Sequence, residues 1–237
     1  SIDKSGKDWL VELDKGVVIE DGELVEFRKI DSGRRIRSEK VRVSERLGDP
    51  SAPKSVSLIA IHQHKIPNIF PEDVLLQSKK ASFLQNKKWD DYSHVPFVTI
   101  DPKDARDHDD ACYAKPDDDP KNIGGHLIWV AIADVAHFVR SGDAIDNEAR
   151  HRGNSTYFPD RVVPMLPDNL SGNLCSLHEG EKRACIVVKI KIDSVGNKIS
   201  HKFTRAVIQS WASLEYGEVQ EVIAVSYTHL RAHETET

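Results

Sequence analysis

The sequence has little that would tie it to a membrane, a secretory route or a disulfide scaffold. Its 237 residues include three cysteines, Cys112, Cys175 and Cys185. The number is odd and no C-x-x-C pair occurs, which argues against a disulfide framework and a paired-cysteine zinc site and suits a reducing compartment. No apolar run approaches the ~18–20 residues that a bilayer-spanning helix needs; the longest stretches, such as Leu127–Ala133, are strand-sized. Residues 1–8 are polar, lead into no apolar segment and are not read as a secretory signal. There is one methionine, Met165, and the first residue is Ser1, so the sequence is read as part of a longer chain. A content of 39% hydrophobic and 30% charged residues excludes a disordered polyelectrolyte, and the length suits one or two domains.

Charge is informative once divided. The total of −5 argues against a generic nucleic-acid binder. Between Arg28 and Arg46, however, Arg28, Lys29, Arg34, Arg35, Arg37, Lys40, Arg42 and Arg46 face only three acids. Between Asp101 and Asp119 the balance reverses, with aspartates at 101, 104, 107, 109, 110 and 117–119 against Lys103, Arg106 and Lys115. One segment can meet phosphates and the other can hold cations, although a charge run is more often a solvated face.

Residues 9–13, 16–19 and 24–27 are β-prone runs separated by turn signals, and 35–37 and 41–43 alternate basic with apolar residues. Short strands with an aromatic and interleaved Arg and Lys suit the end of a small OB or cold-shock barrel, and equally an ordinary meander with a solvated edge. Residues 48–53 form a boundary loop. Ser55 is placed as the N-cap of a helix over 56–64, and Pro71 opens a second helix running to about Asn86. His62 and His64, two apart on the first helix, point in different directions and make a poor metal pair. From Phe97 the pattern becomes α/β: strands at 97–100 and 127–134, a helix over 143–152, a hairpin of 185–193 with 198–210, and a helix beginning at 216–224. The fold class expected is α+β, with a partial OB-type barrel over 1–50, a helical linker over 51–94 and a mixed α/β domain over 95–224.

Asp101, Asp104, Asp107, Asp109 and Asp110 place five carboxylates in ten residues directly after a buried strand. Like charges this close must lose charge or share a cation, and Mg²⁺ prefers carboxylate oxygens. Metals in such a site assist in-line displacement at phosphorus. An EF-hand is excluded, because the glycine and glutamate its loop requires are missing. A solvated acidic loop is the bland reading. The His108-Asp109 pair suggests a different metal phosphohydrolase, but lacks further histidines at matching positions. Arg150, Arg152, Arg161 and Arg183 are candidate phosphate contacts, each more often a surface charge.

The string Thr99-Ile100-Asp101-Pro102 with Asp107-His108-Asp109-Asp110-Ala111 resembles the active-site motif of the ribonuclease II/R (RNB) family of 3′→5′ exoribonucleases. The resemblance continues through residues 130–135, 152–167 (Arg-Gly-Asn-Ser-Thr-Tyr-Phe-Pro-Asp-Arg onward) and 174–177, covering about 95–224. Residues 42–71 also look like the segment joining the last cold-shock barrel to the catalytic domain in the ribonuclease R branch. The family implies Asp101, Asp107 and Asp110 as Mg²⁺ ligands and Asp109 as the aspartate on which cleavage most depends. Tyr157 falls where a tyrosine stacks on a nucleotide of the RNA 3′ end, the alternative being a core tyrosine between strands. Tyr216 resembles a second tyrosine near the terminal nucleotide. His108 is given no role.

The resemblance further implies a cytoplasmic, monomeric, processive enzyme without membrane contact, releasing nucleoside 5′-monophosphates from single-stranded RNA. The family's catalytic domain is expected to continue beyond 224, so the chain alone is expected to be impaired. Residues 225–237 look like translated sequencing-adapter read-through and are set aside, a genuine polar tail being the other reading. Two rivals stand beside this one: an RNA-binding module with an inert acidic loop, and a phosphodiesterase for small substrates.

Overall fold

The computed structural model describes residues 9–14, 18–30, 40–49, 53–83 and 88–234, apart from the side chains of 53–54 and 226–234. It divides into two compact units, one of residues 1–69 with 155–163 and one of 70–154 with 164–237.

In the first unit, β1 (Leu10–Glu12), β2 (Leu24–Ile30) and β3 (Lys40–Gly48) form a sheet in the order β1-β3-β2. β2 and β3 run antiparallel with irregularities after Leu24 and Glu26, and β1 lies parallel to β3. Three of the expected strands are therefore present, as an open sheet among the described residues. Val18 and Ile19 are not in a strand, and the expected alternation at 35–37 lies outside the described residues. Trp9 packs on Phe27 at 5.7 Å, with the Lys29 ammonium 4.6 Å from its ring centroid. α1 (Pro53–Gln63) buries Ile61, as β3 buries Val41.

The helix starts before the expected cap. Proline is tolerated at the first helical position because its missing N–H has no partner to lose there. Ser55 therefore sits inside α1, and its hydroxyl donates to the Asp49 carbonyl instead of capping. A two-stranded hairpin, β8 (Thr156–Phe158) and β9 (Arg161–Val163), belongs to this unit; its turn residue Asp160 accepts from Ser57 of α1.

The second unit is built on a seven-stranded sheet in the order β12-β5-β6-β7-β10-β11-β4. The strands are β4 (Asp90–Asp91), β5 (Val98–Asp101), β6 (Asp110–Pro116), β7 (His126–Ala133), β10 (Lys182–Ile192), β11 (Lys198–Gln209) and β12 (Ala212–Glu215). β6, β7, β10 and β11 pair antiparallel with their neighbours, whereas the edge strands β12 and β4 run parallel to β5 and β11. Alternation decides the faces: Trp129, Ala131 and Ala133 of β7 and Cys185 and Val187 of β10 are buried, while Ile132 and Ile186 between them are exposed. The buried face packs on Val74, Ile145, Leu166, Leu170 and Leu177.

α2 (Glu72–Lys80) ends earlier than expected. The Ser78 carbonyl is taken by the Ala81 amide (3.1 Å) and by the Asn169 side-chain amide (2.5 Å), and Ala81 leaves in extended geometry. A short α3 (Val135–Phe138) follows β7. α4 (Ala144–Arg152) starts one residue later than expected, because Asp143 is its N-cap, accepting from the Asp146 amide at 2.8 Å. A π-type turn spans Leu170–Leu174, and α5 covers Tyr216–Glu234, entering the segment set aside from residue 225. Among the described residues no helix is long and apolar enough to cross a membrane.

Candidate active site

The acidic segment is the connection between two neighbouring antiparallel strands. β5 ends at Asp101 and β6 begins at Asp110, so the intervening residues turn back at one end of the sheet. Two pairings fix that end. β6 lies along β7 with Asp110 opposite Ile132, and the Ala133 amide donates to the Asp109 carbonyl at 2.9 Å. On the other side β12 runs parallel to β5 with Glu215 opposite Asp101, which brings Tyr216, at the start of α5, to the same end. Asp101, Asp107, Asp109 and Asp110 of one ten-residue string and Tyr216 from much later in the chain thus lie toward the same end of the sheet. Tyr157 belongs to the other unit, on β8 opposite Val162. It is not a core tyrosine, since 64% of it is exposed, as is 58% of Tyr216.

The electrostatics show an unbalanced cluster. Burial holds the Asp109 carboxyl above the usual carboxylate range, and the negative charges of Asp107, Asp110 and Asp101 push it further the same way, with His108 opposing them. A positive charge arriving beside the cluster would act in the opposite direction. His108, which the sequence reading left without a role, contacts the cluster: its Nδ1 lies 2.7 Å from Asp101 Oδ2, both side chains being largely buried. The His108 ring meets His178 edge-on at 5.7 Å. Only the fold reveals these contacts, because the sequence places His178 far from the loop.

The donor set fits a hard divalent cation in type and charge: several carboxylate oxygens, one of them held toward protonation by its like-charged neighbours. The aspartates are not gathered into a cage. Among the described residues the group whose ligand-capable atoms all lie within 4.8 Å of one another is Glu26, Glu45 and His62, in the first unit. There His62 lies between two glutamates that face each other across β2 and β3, 3.7 Å from Glu26 and 3.9 Å from Glu45.

Two of the arginines considered as phosphate contacts are structural. Arg152 is buried against Glu148 (2.7 Å), the Pro164 carbonyl (3.0 Å) and the Phe70 ring (3.6 Å to its centroid). Arg183 is buried among the carbonyls of Asn173 and Ser176. Arg150 is exposed and pairs with Asp146, and Arg161 pairs with Asp160.

The family model for the RNB domain matches residues 89–235. Ribonuclease R of Vibrio cholerae serotype O1 is 40% identical over 208 residues, 85% of this chain and 25% of the relative. Mycoplasma genitalium RNase R in complex with double-stranded RNA superposes with a TM-score of 0.77 and 30% identity, over 92% of this chain and 39% of that one. The same protein in complex with ribose-methylated single-stranded RNA gives a TM-score of 0.77 and 28% identity, over 92% and 34%. The chain spans about a quarter of the length of the curated relative it matches.

Proposed function

The chain belongs to the RNB domain family, and on that premise we propose that it is part of a ribonuclease R-like exoribonuclease that hydrolyses single-stranded RNA processively from its 3′ end to nucleoside 5′-monophosphates. The observation that carries the reading is the placement of Asp101, Asp107, Asp109 and Asp110 on the turn between β5 and β6, fixed at one end of the sheet by β7. Asp101, Asp107 and Asp110 would hold Mg²⁺, which when bound offsets the charge of a phosphodiester and activates water for in-line attack. Asp109 orients the attacking water, its raised proton affinity suiting a group that takes up a proton at a carboxylate oxygen. His108 fixes the Asp101 carboxylate through the 2.7 Å contact. The exposed rings of Tyr157 and Tyr216 offer stacking faces to bases irrespective of sequence, as an exonuclease that accepts any RNA requires. That the RNase R neighbour is seen with RNA supports the same substrate class here.

The test is a 3′-labelled single-stranded RNA incubated with the protein and Mg²⁺, wild type beside Asp109→Asn. Slow release or none is expected of this chain by itself, and any mononucleotide release that disappears in the variant supports the exonuclease reading. Cleavage retained by Asp109→Asn would remove the acidic cluster from the chemistry. RNA retention with no cleavage by either protein would favour the binding module only if Mg²⁺ binding, too, is unaffected by Asp101→Asn and Asp110→Asn; binding lost in those variants keeps the metal site.

A further inference from the structure

The acidic loop needs an opposing force. Five carboxylates in one turn push its backbone apart, and within the loop the Ala105 amide bonding back to the Pro102 carbonyl at 3.0 Å is a local turn contact. Besides the Ala133 amide on the Asp109 carbonyl, backbone restraint comes from residues 176–177. Ser176 is fully buried. Its hydroxyl accepts from the His108 amide at 2.9 Å and donates to the Arg106 carbonyl at 3.2 Å. The next residue, Leu177, donates its amide to the His108 carbonyl at 2.8 Å. A serine hydroxyl has one proton and two lone pairs, and here both capacities are used on backbone groups that flank Asp107 on either side.

Ser176 is itself held. The Arg183 guanidinium reaches the Ser176 carbonyl at 3.0 Å and the Asn173 carbonyl at 3.2 Å through Nε, and the Asn173 side-chain oxygen at 3.0 Å through Nη2. The Ser176 amide bonds to the Asn173 carbonyl at 2.9 Å. Arg183 lies on β10, whose neighbour β7 ends at Ala133, the donor to the Asp109 carbonyl. A closed path of short contacts therefore runs from the sheet through Arg183 and Ser176 to both sides of Asp107.

We propose that Ser176 is a positioning residue for the acidic site, its hydroxyl setting the backbone turn that presents Asp107, Asp109 and Asp110 together, with Arg183 locking Ser176 in place. The inference rests on the proposed metal site and adds to it the group that assembles the ligands. Removing the hydroxyl takes the partner from the Arg106 carbonyl and the His108 amide on either side of Asp107, and the repelling carboxylates then open the turn.

The test uses the 237-residue chain as wild type, Ser176→Ala and Ser78→Ala. Ser78 is an equally buried serine of the same unit whose hydroxyl bonds within its own helix to Leu75. Two readouts are taken: backbone amide exchange without metal, and Mn²⁺ affinity from the paramagnetic resonance of free Mn²⁺. In wild type the His108 amide should exchange as slowly as amides of β7 and β10. Ser176→Ala should speed exchange of the loop amides at least ~10-fold and weaken Mn²⁺ binding about 5–10-fold, while Ser78→Ala moves neither. Fast His108 exchange in wild type overturns the proposal, whether or not Ser176→Ala folds. So does a Ser176→Ala chain with a loosened loop but unchanged Mn²⁺ affinity, or a loss of affinity that Ser78→Ala reproduces. A wild-type chain that binds no Mn²⁺ overturns the metal site, and His108 exchange in Ser176→Ala then decides the staple by itself.

Discussion

Arg152 and Arg150 sit two residues apart at the end of one helix, each paired with a carboxylate four residues earlier, and they should differ sharply in what they contribute. Arg152 is 2% exposed in its side chain and its partner Glu148 is 12% exposed, whereas Arg150 is 70% exposed. An exposed i,i+4 pair is worth about 0.3–0.5 kcal/mol, so Arg150→Ala should be nearly silent. Arg152→Ala removes three interactions at once. The charged hydrogen bond to the Pro164 carbonyl is worth about 1.5–3 kcal/mol, and the stacking on Phe70 about 0.5–2 kcal/mol. The third loss is the partner of Glu148, which is left as a buried, uncompensated charge. Breaking such a pair costs about 3–5 kcal/mol, and because these contributions overlap that range is the expected total. At ~2–4 °C per kcal/mol for a chain of this size, the melting temperature should fall by ~6–20 °C.

The assay is thermal and urea unfolding of the single variants Arg152→Ala, Glu148→Ala and Arg150→Ala and of the double variant Arg152→Ala with Glu148→Ala. The double variant should be destabilised by less than the sum of its singles, since removing Glu148 also removes the unpaired charge. A cost for Arg152→Ala below about 1 kcal/mol, or strict additivity in the double variant, would refute the reasoning that burial separates the two arginines.

Other expectations are more local. Asp117 is held down to about 2 by its hydrogen bonds from Lys191 and Asn122; a carboxyl depressed on folding adds stability above its ordinary value near 4, lost as the pH falls toward about 2. In Lys191→Met, side-chain NMR titration should move Asp117 back toward 4 and flatten that loss; an unmoved Asp117 would count against the Lys191 contact. Gly125→Ala places a Cβ 2.1 Å from Asn122 Nδ2 and 2.5 Å from the Ile192 carbonyl. It should cost about 1–3 kcal/mol by displacing Asn122 from Asp117 and Ile192, read as a lower urea midpoint. Tyr157→Ala should leave the melting temperature within a degree or two and weaken single-stranded RNA binding by about 1–3 kcal/mol in a fluorescence titration; an unchanged affinity would remove the stacking role.

What the sequence made legible were features carried by neighbouring residues. The β10–β11 hairpin could be read from Lys189 and Lys191 alternating with Val188, Ile190 and Ile192 ahead of a turn whose Asp193 bonds the amides of Val195 and Asn197. The α4 helix could be read for the same reason, although Asp143, counted in it, is its cap. β6 was not legible. It opens with an aspartate, and the residues it turns toward the core are Ala111 and Tyr113, so its apolar signal is weak and its strand state is decided by β7 alongside it. β12 is four residues long and is recognisable only through its parallel register with β5. Ser55 was misplaced because a proline two residues earlier could also begin the helix, and the Asp49 carbonyl gave its hydroxyl another partner.

The site divides along the same line, and the division has a physical cause. Concentrating like charges in one loop is a local act of sequence, so the aspartates are visible as a string. Holding that loop against its own repulsion cannot be local, because any nearby residue moves with it. The restraints must come from elements anchored elsewhere, and they do: the Ala133 amide from the end of β7, Ser176 and Leu177 from the segment before β10, and the β12 register that sets Glu215 beside Asp101. His108 shows both halves in one residue, its ring on Asp101 and its backbone amide on Ser176. A motif of this kind therefore announces its charge in sequence while its geometry stays encoded in strand order. It follows that substitutions at the remote anchors should disturb the acidic site as much as substitutions at exposed carboxylates of the loop such as Asp104.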